Sequence, residues 1–266
     1  MGSKMTPSND VCPLCSAQDR SYEVVRIGKA TILGCRNCTN AWTDPSPTFI
    51  KYDEEDFYGH GRYQSMADLP RQWRNGYIRQ IKTIKSSVKP GSVVLEIGCG
   101  QGLLMTALNK EGYHVVGIEP SISGSEKAIE KGLTVINDYF PSKRLEGQKY
   151  DLVVLSQVLE HIKDFNQFID RVLVTLTKVG KVLFVQTNWK GLMPRYLKSG
   201  WYAWVPDQHY WHFTPKGLAI ILEQKGCRVE KVEWYSLEHS DHILSRLTEV
   251  FPKLSDQFHM LVNAPV

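Results

Sequence analysis

Four of the six cysteines fall close together, as Cys12, Cys15, Cys35 and Cys38, in the spacing C-x2-C-x19-C-x2-C. Thiolates two residues apart can grip one soft cation, and this spacing lies within the range of tetrahedral four-thiolate zinc sites. Between the pairs lie two β-favouring runs, Tyr22 to Ile27 and Ala30 to Leu33, joined by Gly28-Lys29. They predict a hairpin that carries both pairs, a zinc ribbon. With four protein ligands no coordination position stays open, so the zinc would be structural rather than catalytic. A segment of about 35 residues buries too little apolar surface to fold unaided, whereas a structural zinc contributes on the order of 10 kcal/mol. Four unrelated thiols at coincidental spacing are the alternative.

A second constellation follows a short apolar run, Val94-Leu95-Glu96-Ile97-Gly98-Cys99-Gly100-Gln101-Gly102. Glycines at alternate positions let the backbone turn sharply and approach a ligand closely. The spacing G-x-G-x-G departs from the G-x-G-x-x-G of dinucleotide sites. Glu96, two residues before the first glycine, would oppose a pyrophosphate but suits a cation. Glu119 stands 21 residues after Gly98, where an acid accepts hydrogen bonds from ribose hydroxyls. Asn137-Asp138 ends the next apolar run in the same way. Three acids at successive strand ends fit an adenosine attached to a positive group.

These residues need a scaffold, and the chain supplies one. Val93 to Ile97, His114 to Ile118, Leu133 to Ile136, Asp151 to Leu155 and Lys181 to Gln186 are mostly continuous apolar runs, as in buried parallel strands. Helical patterns at 102–111, 123–131 and 163–177 lie between them. The alternation predicts a doubly wound α/β sheet. Residues 67–88 have apolar positions at helical spacing, with arginines and lysines between, before Pro90-Gly91. The domain order expected is a zinc module at 1–47, a linker with the acidic patch Asp53 to Asp56 and this basic helix at 48–90, and a ligand-binding domain at 91–266.

The combination resembles the class I S-adenosylmethionine-dependent methyltransferases over roughly residues 60–266. Glu96, Gly98, Cys99, Gly100 and Gly102 match the family's first motif, Glu119-Pro120 its ribose-binding acid, and Asp138 the adenine position. Tyr150 to His161 matches its fourth-strand motif, whose end, with Ser156 and Gln157, borders the methionine moiety. The resemblance implies a Rossmann-like sheet of seven strands ending in an antiparallel pair, for which Arg228 to Tyr235 and Phe258 to Ala264 are suitable. It also implies S-adenosyl-L-methionine as cofactor and S-adenosyl-L-homocysteine as product. The zinc module and Glu-His ending are similar to the branch that methylates sugars, polysaccharides and natural products.

O-methylation of a small hydroxylated acceptor is the preferred reading. C-methylation of a nucleotide keto-sugar, and RNA or protein methylation gripped by the ribbon and basic helix, are alternatives. His161 is the first candidate base, because an imidazole titrates near neutrality; a purely structural histidine is its alternative. Gln157 replaces one carboxylate of an E-x-x-E-H metal motif found in relatives, so no catalytic metal is expected. Six aromatics and two histidines, His209 and His212, crowd residues 201–213. They are expected to overhang the acceptor pocket, with the histidines as further candidate bases, or else to pack on the zinc module. Thr214-Pro215 reads as a helix start and Gly226 as its end.

Composition narrows the rest. The 266 residues are 42% hydrophobic and 23% charged, which excludes disordered, collagen-like and coiled-coil classes. A net charge of +4 is far from the basic stripe of a dedicated nucleic-acid binder. No apolar run reaches the roughly 18 residues of a membrane span and the start lacks a signal-peptide core, so a cytoplasmic enzyme with no membrane partner is expected. Nothing in the sequence specifies an oligomeric state. His239 and His242 read as surface groups.

Overall fold

A computed structural model describes residues 11–47, 63–236, 247–248 and 250–265. Asp53 to Asp56, His239 and His242 lie outside the described residues. Strands β1 (Ser21–Ile27), β2 (Ala30–Cys35) and β3 (Ala41–Asp44) form an antiparallel meander, with Gly28 at φ 58° in the first turn. Helix α1 (Arg71–Ser87) follows Pro70, four residues later than the periodicity suggests, because proline suits the cap better than the helix interior.

The main domain then alternates β4 (Val93–Ile97), α2 (Leu103–Lys110), β5 (His114–Glu119), α3 (Ile122–Glu130), β6 (Thr134–Asn137), β7 (Tyr150–Ser156), α4 (Phe165–Val174) and β8 (Leu176–Thr187). After α5 (Leu192–Leu197) come β9 (Trp211–His212), α6 (Pro215–Gln224), β10 (Arg228–Tyr235) and β11 (Gln257–Asn263). Seven strands form one sheet in the order β10-β11-β8-β7-β4-β5-β6, parallel except for β11, which runs antiparallel to both neighbours. This is the expected α/β Rossmann-like sheet. Alternate residues of the central strands serve opposite faces. Leu95, Val153 and Phe184 pack with α4 and α6, while Val94, Val154 and Val185 pack with α1 and α2.

Two features depart from expectation. The zinc module, expected as a hairpin, has a third strand in β3, and β3 is extended by β9 from the far end of the chain: Ala41 pairs with His212 and Trp42 with Trp211. The ribbon sheet is therefore β1-β2-β3-β9. The aromatic segment points inward rather than overhanging a pocket. Trp201 and Trp204 pack with Ile32 and Ala41 of the ribbon, and Trp211 and Phe213 join the main core. Large apolar rings gain most by leaving water, and the meander offers the nearest apolar face.

Candidate active site

β4 is flanked by β5 and β7, so the connections leave it in opposite directions and a crevice opens at its carboxyl end. The loop there is built from left-handed glycines, Gly98 at φ 73°, Gly100 at 51° and Gly102 at 74°. A Cβ on Gly98 would lie 2.7 Å from Val158 Cγ2, and one on Gly102 2.2 Å from Leu133 Cδ1. Glycine is required by both torsion and space. Cys99 is buried as a small filler.

Glu119 is fully buried at the end of β5 and receives two backbone N–H groups, from Gly100 at 2.8 Å and Ser121 at 2.8 Å. These bonds fix the acid against the glycine loop. Glu96 is buried too, and its Oε2 has no hydrogen-bond partner among the described residues. Burial, then the charge of Glu119, push its pKa up to about 8. The Met105 backbone N–H opposes that rise, and the enclosed oxygen left without a partner suits a cation. The adenine candidate Asp138 is exposed and accepts from Tyr139 N–H at 2.8 Å and the Ser142 hydroxyl at 2.7 Å, which lower its pKa, the serine most. Each of its oxygens retains a second lone pair for an incoming donor. Pro120 follows Glu119, and its carbonyl accepts from Asn137.

The other side of the crevice is lined with carboxamides. Ser156 accepts from Gln80 of α1 at 3.3 Å, and Gln157, at φ 55°, donates to Gln257 at 3.1 Å. Gln257 donates onward to the exposed Tyr202 hydroxyl at 2.5 Å. Gln80 and Gln257 were invisible as site residues in the sequence. A polar residue within the apolar stripe of α1 was the one available signal for Gln80.

Past the end of β7, His161 and His209 meet edge to face with centroids 4.7 Å apart. His161 Nδ1 lies 3.2 Å from the Gln208 carbonyl and His209 Nδ1 3.0 Å from that of Ala203. A carbonyl only accepts, so both neutral rings carry their proton on Nδ1, and Nε2 is the unprotonated nitrogen of each. Burial holds the pKa of His161 down to about 4 and that of His209 well below its usual value. Glu160 is enclosed, receives Gln186 Nε2 at 3.0 Å, and is pushed up to about 7 by burial. The possible ligand atoms of Glu160, His161 and His209 lie within 4.8 Å of one another. His212 differs: it is buried, and its Nε2 lies 3.1 Å from Thr43 Oγ1.

A family described as "Methyltransferase domain" matches residues 60–232, well over half of the chain. The chain belongs to that methyltransferase family. It is 32% identical over 162 residues to a ubiquinone biosynthesis O-methyltransferase of Nitrobacter winogradskyi, covering 51% of this chain and 59% of that protein. A protein of the same name from Bradyrhizobium diazoefficiens is 29% identical over 195 residues, covering 60% of this chain and 75% of its own length. The chain thus spans about three fifths of the first curated relatives it matches. The fold is that of magnesium protoporphyrin IX methyltransferase from Synechocystis PCC 6803 with bound S-adenosylhomocysteine, at TM-score 0.54 and 16% identity over 72% of this chain and 83% of that one. An S-adenosylmethionine-dependent methyltransferase of Mesorhizobium loti gives 0.53 and 19%, over 68% and 96%. No helix among the described residues is long and apolar enough to cross a membrane.

The methyltransferase also gathers its four amino-terminal cysteines. Cys12 and Cys38 Sγ lie 3.8 Å apart and Cys15 and Cys35 Sγ 3.7 Å, too far for disulfides. In a tetrahedral site with metal–sulfur bonds of about 2.3 Å the sulfurs stand about 3.8 Å apart. The backbone N–H groups of Asn37 and Cys38 both point at Cys35 Sγ, at 3.3 and 3.4 Å, as suits a thiolate. The cluster fits a four-thiolate metal.

Proposed function

We propose that this methyltransferase transfers a methyl group from S-adenosyl-L-methionine to the oxygen of a small hydroxylated acceptor, and that a structural zinc holds its ribbon. The observation that carries the reading is the buried Glu96 carboxyl, whose Oε2 has no partner among the described residues, on the strand that leads into a left-handed glycine loop. The names of the relatives favour oxygen over carbon or nitrogen as the acceptor atom. The carboxamide wall of Gln80, Gln157 and Gln257 carries no charge and suits a neutral polar acceptor better than a phosphate backbone.

When bound, the cofactor supplies a methyl on a sulfonium that leaves as a neutral thioether. The protein's work is to fix the donor, align the acceptor oxygen and take its proton. Glu119 and Asp138 would hold the ribose and adenine, and Glu96 the positive end, beside Ser156 and Gln157. His161 Nε2 would take the proton from the acceptor hydroxyl. A pKa near 4 makes an isolated imidazole a weak base, but Glu160, within 4.8 Å, ionises through about 7 and then favours the imidazolium. Positioning supplies about 7 to 11 kcal/mol and the base about 3 to 5 kcal/mol.

Labelled S-adenosylmethionine offered with sugars, phenols and RNA tests this. Label is expected in sugars or phenols, with turnover rising from about pH 6 to 8 as Glu160 ionises. His161→Ala should lower kcat by roughly 100- to 10,000-fold and leave cofactor affinity unchanged. Label in RNA alone would refute the reading.

A further inference from the structure

One ribbon hydroxyl bonds to the two histidines in the aromatic segment. Thr43, buried on β3, lies 2.6 Å from the His209 carbonyl and 3.1 Å from His212 Nε2. A threonine hydroxyl has a single proton, and the carbonyl can only accept it. The His212 ring must then donate its Nε2–H to the lone pair of Thr43, so His212 is the opposite tautomer to His161 and His209. Thr43 N–H also donates to the Tyr210 carbonyl at 3.0 Å. From the other side, Tyr210 N–H donates to the Glu160 carbonyl at 2.7 Å and Trp211 Nε1 to that of Ile162 at 2.6 Å. The segment bearing His209 is thus clamped between the end of β7 and the ribbon.

The clamp is broad and tightly fitted. Asn40 Oδ1 accepts the Thr214 N–H at 3.0 Å, and the hydroxyls of Thr39 and Thr214 meet at 2.7 Å. A Cβ on Gly217, in the first turn of α6, would fall 2.0 Å from Asn40 Oδ1 and 2.4 Å from the Cys38 carbonyl. The metal-ligand loop therefore rests directly on the helix that follows His212. An appendage that bound a macromolecule would not need this fit.

We propose that the ribbon braces the acceptor site and that Thr43 is its positioning residue, holding the His209 main chain and the His212 ring so that His209 stays against His161. The inference rests on the reading of the His161–His209 pair as the acceptor end. A displacement of about 1 Å at a reacting group can cost 100-fold in rate, so a single lost hydroxyl is felt there.

The test compares Thr43→Val, of nearly the same shape, with Thr43→Ser, which keeps the hydroxyl. In the full-length zinc-loaded protein, nitrogen-15 spectra of the imidazoles report the tautomers directly. Wild type and Thr43→Ser should show His212 protonated on Nε2 and His161 and His209 on Nδ1. Thr43→Val should shift the His209 and His212 resonances, keep its zinc and S-adenosylhomocysteine affinity, and lose about 10- to 100-fold in kcat with the best acceptor of the panel. Thr43→Ala gives the same comparison if the valine does not fold. Imidazole spectra in Thr43→Val superimposable on wild type would overturn the proposal, as would shifted resonances with undiminished turnover or a parallel loss of cofactor affinity. Wild-type protein that methylates nothing in the panel, with the resonance shifts intact, would instead remove the functional reading and leave the clamp standing.

Discussion

Glu96 is where burial and charge conflict most sharply. The free protein holds this carboxyl half-protonated at about pH 8, and a bound cation favours the ionised form. Binding therefore expels a proton below that pH, and affinity climbs with pH by at most tenfold per unit before levelling above about 8. Calorimetry at pH 7 in two buffers of different ionisation enthalpy should give different heats for wild type and equal heats for Glu96→Gln; equal heats for wild type would remove Glu96 from the cofactor site. The sign for stability follows from the same raised pKa. The favourable contribution of Glu96 is complete below about 4.5, is lost as pH rises through about 8, and is restored by the cofactor. Glu96 and Glu119 were legible in the sequence because one short segment and one fixed offset contain all the information. Thr43, Gln80 and Gln257 were not, since their roles come from partners 55 to 169 positions away.

At the scale of elements, the glycine turn sets strain against space. Gly102→Ala meets both a φ of 74° and a contact of 2.2 Å, whereas Gly28→Ala in the β1–β2 turn meets the torsion alone, with nothing within 4 Å. The first should cost more than the roughly 1 to 3 kcal/mol of a strained torsion and the second about 1. Thermal melts resolve them, at about 2 to 4 °C per kcal/mol for a chain of this size; equal shifts would show that Leu133 yields freely. The central strands were legible because an apolar run buried on both faces has a signature of its own, and β4 coincides with the run that marks it, whereas β10, at the sheet edge, was expected only from the resemblance. β3 and β9 were not legible. Four and two residues long, with Thr, Asp and His among them, they are strands because β3 finds β2 and β9 finds β3. The aromatic cluster misled for a related reason: composition shows that rings must be buried, not which surface buries them.

For the molecule as a whole, the ribbon core and the catalytic core are continuous. Leu33, Cys35 and Trp42 pack in the same cluster as Phe184 and Phe213. Cys15→Ser should abolish tight zinc binding, and the loss should reach the carboxy-terminal half as well as the first 45 residues or so. Hydrogen exchange on the variant is expected to deprotect β9 and the start of α6 together with β1 and β2. Protection lost in the ribbon alone would mean that the two cores are uncoupled, and wild-type protein purified without zinc would refute the metal assignment. β9 carries one more implication. Its partner Thr43 precedes His212 by 169 positions, so during synthesis the open side of β3 waits, with its amides unpaired, until most of the polypeptide has been made. Cutting the gene between the two parts would leave one fragment with a raw sheet margin and the other with bare tryptophans, and neither half should stay in solution without its mate.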